Sequence, residues 1–135
     1  MTNPFLRVEL HSDGACLGNP GPGGWACILR PTGQLQDERV LVGGEAATTN
    51  NRMELTGVLE GLRSLPDGAH VEVSADSQYV LKGLSDWLDN WKRRGWRTAS
   101  RKPVKNEDLW RALDTERTRL ELSYIWVEGH AGHPD

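Results

Sequence analysis

Residues 5–11 alternate, with Phe5, Arg7 and Glu9 on one side and Leu6, Val8 and Leu10 on the other, the two-residue period of a half-buried strand. Residues 14–24 (GACLGNPGPGG) predict a turn-rich loop. Residues 25–29 form a second apolar run, Pro31-Thr32-Gly33 a turn, and residues 35–42 a third strand. Their short connections favour an antiparallel meander. The period then changes. Leu55, Val58, Leu59 and Leu62 fall on one face of a helix, which Pro66-Asp67-Gly68 ends. Residues 71–75 read as a short strand. Residues 77 to about 92 read as a helix broken near 83–86. A further helix runs from 106 to about 117, with Asn106 as its cap and Glu107 and Asp108 in its acidic first turn. Residues 120–127 make the last strand. Strands alternating with helices imply right-handed crossovers and parallel pairing. The predicted fold class is α/β, a mixed five-stranded sheet with helices packed on it. The 135 residues carry no repeat and no linker, so residues 1–135 are expected to form a single domain.

Composition narrows the functional classes. At 37% hydrophobic and 26% charged residues, the chain has the means to form a core. Lys and Arg number 16 against 19 Asp and Glu, a net charge of -3. That excludes a globally basic nucleic-acid binder but leaves room for a local basic patch. No apolar run reaches the length of a membrane span, and residues 1–4 lack the features of a signal peptide. Cys16 and Cys27 are too few for a disulfide scaffold. A cytoplasmic protein with no membrane partner is expected.

Three carboxylates carry the candidate chemistry. Asp13 is placed just past the first strand, Asp76 just past the fourth, and Glu54 in the first turn of the helix between them. Ligand sites gather outside the carboxyl ends of parallel strands. If the first and fourth strands are neighbours, Asp13 and Asp76 come close and repel. A divalent cation relieves that repulsion, and an all-oxygen donor set favours Mg²⁺ or Mn²⁺ over zinc. Each acid also has a plainer reading: Asp13 as a turn residue before Gly14, Glu54 closing a capping box with Asn51, and Asp76 as a helix N-cap.

Two further features stand out. Residues 91–105 (WKRRGWRTASRKPVK) hold seven basic residues and no acid, with Trp87, Trp91 and Trp96 in or beside them. Cations attract phosphates, and indoles offer flat faces to sugars and bases; the plainer reading packs these tryptophans inward. After the last strand comes Gly129-His130-Ala131-Gly132-His133-Pro134. His130 between glycines suits proton transfer near the carboxylates. The His-x-x-His spacing lacks the other ligands of a zinc site.

These motifs together resemble bacterial ribonuclease HI, a type 1 ribonuclease H. The resemblance is carried by DGACLGNPGPGG (13–24), TTNNRMEL (48–55), DSQYV (76–80), WKRRGW (91–96), KPVKN (102–106) and WVEGHAGHP (126–134). It implies an endonuclease that hydrolyses the RNA strand of RNA–DNA hybrids and leaves 5′-phosphate and 3′-hydroxyl ends. It implies the ribonuclease H-like fold, with three antiparallel strands, the fourth and fifth parallel to the first, and helices on both faces. Asp13, Glu54 and Asp76 match the metal-binding acids that hold two Mg²⁺, for which Mn²⁺ can substitute, and His130 matches the mobile histidine. Cys16, Asn19, Asn50, Asn51 and Gln78 match positions that contact the hybrid, and Asn19 and Thr49 would help hold a DNA phosphate. Residues 91–105, with Lys92, Arg93, Arg94, Trp91 and Trp96, match the basic protrusion that grips the DNA strand; Trp87 matches its groove-lining tryptophan, and Asn106 closes the KPVKN motif. The resemblance favours a monomer. The family's fourth acid and C-terminal helix are absent from this sequence, which reads as truncated at its C-terminus. A hybrid-binding module with weak or no catalysis is therefore the alternative.

Overall fold

The computed structural model describes residues 7–32, 38–75 and 78–126. The alternation at the start of the sequence becomes β1 (Arg7–Cys16), which pairs antiparallel with β2 (Gly21–Pro31), itself antiparallel to β3 (Arg39–Thr48). β4 (His70–Ala75) lies parallel to β1 and β5 (Glu121–Trp126) parallel to β4, giving the order β3-β2-β1-β4-β5. This is the predicted mixed sheet, and it contains the β1–β4 adjacency that the approach of the carboxylates requires.

The helices are α1 (Asn50–Arg63), α2 (Gln78–Lys82), α3 (Leu88–Arg93) and α4 (Glu107–Arg119). Leu55, Val58, Leu59 and Leu62 of α1 meet Val8 and Leu10 of β1, Cys27 and Leu29 of β2, and Val71 and Val73 of β4 in one buried cluster with Trp110 and Leu113 of α4. Each such buried aliphatic side chain stabilises by about 1.5–3 kcal/mol. The alternating sheet positions, including Glu9, His11, Glu72, Val40, Val42 and Ile125, are half-buried or exposed. Among the described residues α1, α2, α3 and α4 all contribute to this cluster.

Several local features differ from the prediction, each for a physical reason. Most of segment 14–24 is strand, and only residues 17–20 connect β1 to β2. Its glycines serve close approach: a Cβ on Gly23 would lie 2.6 Å from Thr48 Cγ2. Asp13 is therefore inside β1, paired with Ala26, and not past its end. The third strand is described from Arg39 and extends to Thr48, six residues beyond its predicted end at 42; residues 33–37 lie outside the described set. The predicted helix break is a π-helical turn, Gly83–Trp87, joining α2 to α3. Gly83 has no space for a side chain, since a Cβ there would stand 1.9 Å from Trp110 Cη2. Asn106 precedes α4 in a left-handed conformation (φ 59°) and makes no side-chain cap bond; its side chain is engaged elsewhere.

Candidate active site

β1 and α1 touch backbone to backbone. A Cβ on Gly14 would lie 2.6 Å from the Met53 carbonyl carbon and 2.7 Å from the Glu54 nitrogen. Glycine is the residue that permits this contact, and it sets Asp13 beside the turn of α1 that carries Glu54. Glu54 is the fifth residue of α1, one past the predicted first turn, because the helix starts at Asn50. Thr49 caps it, its hydroxyl accepting from the Arg52 N–H at 3.2 Å. Asn51 already lies inside the helix, so the capping box between Asn51 and Glu54 does not form. Asp13 is exposed and Glu54 half-buried. β4 brings Ser74 opposite His11 of β1, and each of these residues precedes a candidate acid by two positions. Asp76 and His130 lie outside the described residues.

The loop at residues 17–20 is stitched to the start of α1. The Cys16 N–H donates to Asn50 Oδ1 at 2.8 Å, and the Asn50 N–H donates to Asn19 Oδ1 at 3.2 Å. The Cys16 thiol reaches Asn19 Oδ1 at 3.7 Å. Both amide oxygens thus accept from backbone N–H groups. The candidates Cys16, Asn19, Thr49 and Asn50 are gathered here, with Asn51 exposed on the adjoining helical turn; Gln78 is exposed at the start of α2.

Residues 91–105 leave α3 through a tight reversal. Gly95 has φ 69°, and the Trp96 N–H donates to the Trp91 carbonyl at 2.7 Å, the bonding of a glycine-terminated helix. An isolated bridge between Arg97 and Pro103 closes the loop that follows. Arg93 and Arg94 are exposed, whereas Lys92 Nζ pairs with Asp114 at 3.1 Å. Trp91 and Trp96 are half-buried and pack on the core. Arg111 lies 4.6 Å over the Trp96 ring, and Trp91 stands 5.3 Å from Trp110 and 5.7 Å from Trp87.

The model of the RNase H family matches residues 6–135. The chain belongs to the ribonuclease H family. Ribonuclease H of Chelativorans sp. (strain BNC1) is 56% identical over 129 residues, covering 96% of this chain and 78% of its own. Ribonuclease H of Ralstonia nicotianae is 58% identical over 128 residues, covering 95% and 83%. Among solved structures, LC9-RNase H1, described as a type 1 RNase H with the type 2 active-site motif, is similar with a TM-score of 0.81 at 32% identity, over 98% of this chain and 68% of its own.

Enzymes of the ribonuclease H family are hydrolases that cleave RNA in RNA–DNA hybrids, and the family is generally dependent on divalent metal. The residues present suit such an ion: the Gly14 contact sets one carboxylate-bearing strand against the helix of another carboxylate, and oxygen donors match a hard cation. Among the described residues no three His, Cys, Asp or Glu converge on a metal position; of the expected set, they include Asp13 and Glu54. Among the described residues no helix is long and apolar enough to cross a membrane.

Sequence reasoning does not single out three residues beside this candidate site. Arg52, Tyr79 and Trp110 build its frame: Asn106 Nδ2 and Trp110 Nε1 both donate to the Tyr79 hydroxyl, at 3.1 and 3.2 Å. The signal for Arg52 was available, since a cation in the first turn of a helix opposes the helix dipole and calls for a partner.

Proposed function

We propose that Asp13, Glu54 and Asp76 hold the divalent ions with which this chain hydrolyses the RNA strand of RNA–DNA hybrids, leaving 5′-phosphate and 3′-hydroxyl ends. The observation that carries the reading is the Gly14–Glu54 contact, together with the pairing of His11 and Ser74, each two residues short of an acid. Held by these carboxylates, two Mg²⁺, or Mn²⁺ in their place, would supply Lewis-acid chemistry, polarisation of the scissile phosphate and a lowered pKa for the attacking water. Asp13 within β1 and Glu54 within α1 stand on regular elements held together by the Gly14 contact, which limits the reorganisation needed on binding. The amide groups of Asn19 and Asn50, whose oxygens are already taken, donate to the hybrid, with Cys16, Thr49 and Asn51 beside them and Gln78 contributing from the start of α2. Amide contacts to 2′-hydroxyls select the RNA strand. Exposed Arg93 and Arg94 meet DNA phosphates, and Trp87, Trp91 and Trp96 support the groove. His130 moves a proton at the leaving oxygen or on product release. The enzyme acts as a single-domain cytoplasmic monomer.

Asp13→Asn and Glu54→Gln test the assignment. Each removes charge at nearly constant volume. Hybrid cleavage falls by at least about a hundredfold while hybrid binding and the circular dichroism spectrum persist. Loss of the fold along with activity would instead support a purely structural role for these acids.

A further inference from the structure

The first turn of α1 carries no acidic residue, yet Arg52 is there. Its side chain reaches across to the start of α4. Nη1 donates to Asn106 Oδ1 at 3.1 Å and to Asp108 Oδ1 at 3.0 Å, and Nη2 donates to Asp108 Oδ2 at 2.9 Å. The fork onto Asp108 is bidentate, the geometry that an ammonium group cannot reproduce. The Arg52 backbone is fixed as well: its N–H is held by Thr49 and its carbonyl accepts from the Thr56 hydroxyl at 2.7 Å. Asn106 is the residue directly after basic segment 91–105, and it bonds in two directions, to Arg52 and to Tyr79 of α2. One amide at the root of the segment thus joins the first turn of α1 to the first turn of α2.

The magnitudes indicate that this network supplies geometry more than stability. Arg52 is 29% and Asp108 65% exposed at the side chain, and ion pairs exposed to that degree contribute little net stability. What the network fixes is distance. Asn50 lies two residues before Arg52 and Glu54 two residues after it, while Gln78 precedes Tyr79.

We propose that Arg52 is a positioning residue that couples the basic segment, through Asn106 and Tyr79, to the N-terminal part of α1 carrying Asn50, Asn51 and Glu54. The proposal rests on the reading of Glu54 as a metal ligand and of residues 91–105 as the grip on the hybrid. Asn106 ties the root of the segment to α1 and α2, so the placement of the segment and that of the carboxylate-bearing part of α1 are linked.

The test uses the full chain with Arg52→Lys, Asp108→Asn and the double variant. Three readouts are taken: Tm, the separate kcat and KM for hybrid cleavage, and the backbone amide shifts of Asn50, Asn51 and Gln78. Arg52→Lys should lower kcat about tenfold with KM changed less than about twofold, and Tm by only a few degrees. The three amides should shift, and the double variant should be no worse than the worse single one. Unchanged amides, or a kcat loss that matches the unfolded fraction, would overturn the proposal. If Arg52→Lys fails to fold, Asp108→Asn carries the same test, since it leaves the backbone bonds of Arg52 in place. If the wild-type chain does not cleave hybrids, the functional reading falls, and the amide shifts still decide the coupling.

Discussion

Gly14 approaches Glu54 so closely that a Cβ on Gly14 would stand 2.7 Å from the Glu54 nitrogen. Backbone lies on both sides of this contact, so no rotamer change can relieve an added methyl. Gly14→Ala should destabilise the fold by about 1–3 kcal/mol. It should also lower kcat at temperatures where the variant remains folded, because α1 must move away from β1 and take Glu54 with it. Thermal denaturation and cleavage rates on the same sample check both. A Gly14→Ala variant with wild-type Tm and kcat would show that the contact does not set the site.

Periodic segments are legible in this sequence. The 3-4 spacing of Leu55, Val58, Leu59 and Leu62 marks α1 because all four are buried in one cluster. The short apolar run after Pro66-Asp67-Gly68 marks β4. Of the proposed site, Asp13 and Glu54 are legible as acids, but their approach is not, since it depends on the backbone contact of Gly14 with α1. The glycine-rich segment misleads because glycine has two uses. Turns need its conformational freedom, while Gly14 and Gly23 are there because neighbours leave no space for a side chain. Asn106 misleads likewise: a cap-forming residue type precedes a helix, but its amide bonds Arg52 and Tyr79. Neither use has a local pattern.

The two cysteines should separate cleanly in reactivity. Cys27 is fully buried, and burial pushes its thiol up to about 12. Cys16 is only partly buried. At about pH 8, one equivalent of a thiol reagent should react with the native protein, at Cys16, and the second only on unfolding. Mass spectrometry of labelled peptides identifies the site. Native-state labelling of Cys27 at the same rate would contradict the packing of β2 against α1.

Acid should remove the Arg52–Asp108 contribution. The hydrogen bonds from Arg52 hold the Asp108 carboxyl below its ordinary value of 3.8. The folded protein therefore binds this proton less readily than the unfolded chain. The stabilisation is present above about pH 4 and is lost as pH falls through the lower folded value. The Tm gap between the wild type and Asp108→Asn should stay constant between about pH 7 and about pH 5 and close below about pH 4. A gap that widens on acidification would contradict the pairing.

Neighbouring cations in the basic segment should behave differently. Lys92, Arg93 and Arg94 are all exposed, but Lys92 is paired with Asp114, whose side chain is only 14% exposed. Arg94→Gln should raise KM for hybrids and reduce the salt slope of binding by about one. Lys92→Gln should act mainly on Tm, leaving Asp114 with Arg117, at 2.9 Å, as its remaining partner. Titrations at several salt concentrations separate the two; equal salt slopes for both variants would show that the Asp114 pair opens on binding.

The most direct measurement is cleavage of an RNA–DNA hybrid labelled separately on each strand by the 135-residue chain, with Mg²⁺, with Mn²⁺ and with EDTA, beside duplex RNA and duplex DNA. The account predicts metal-dependent cuts confined to the RNA strand of the hybrid, with 5′-phosphate and 3′-hydroxyl ends. Cuts that persist in EDTA, or that fall on the DNA strand or on either pure duplex, would contradict it.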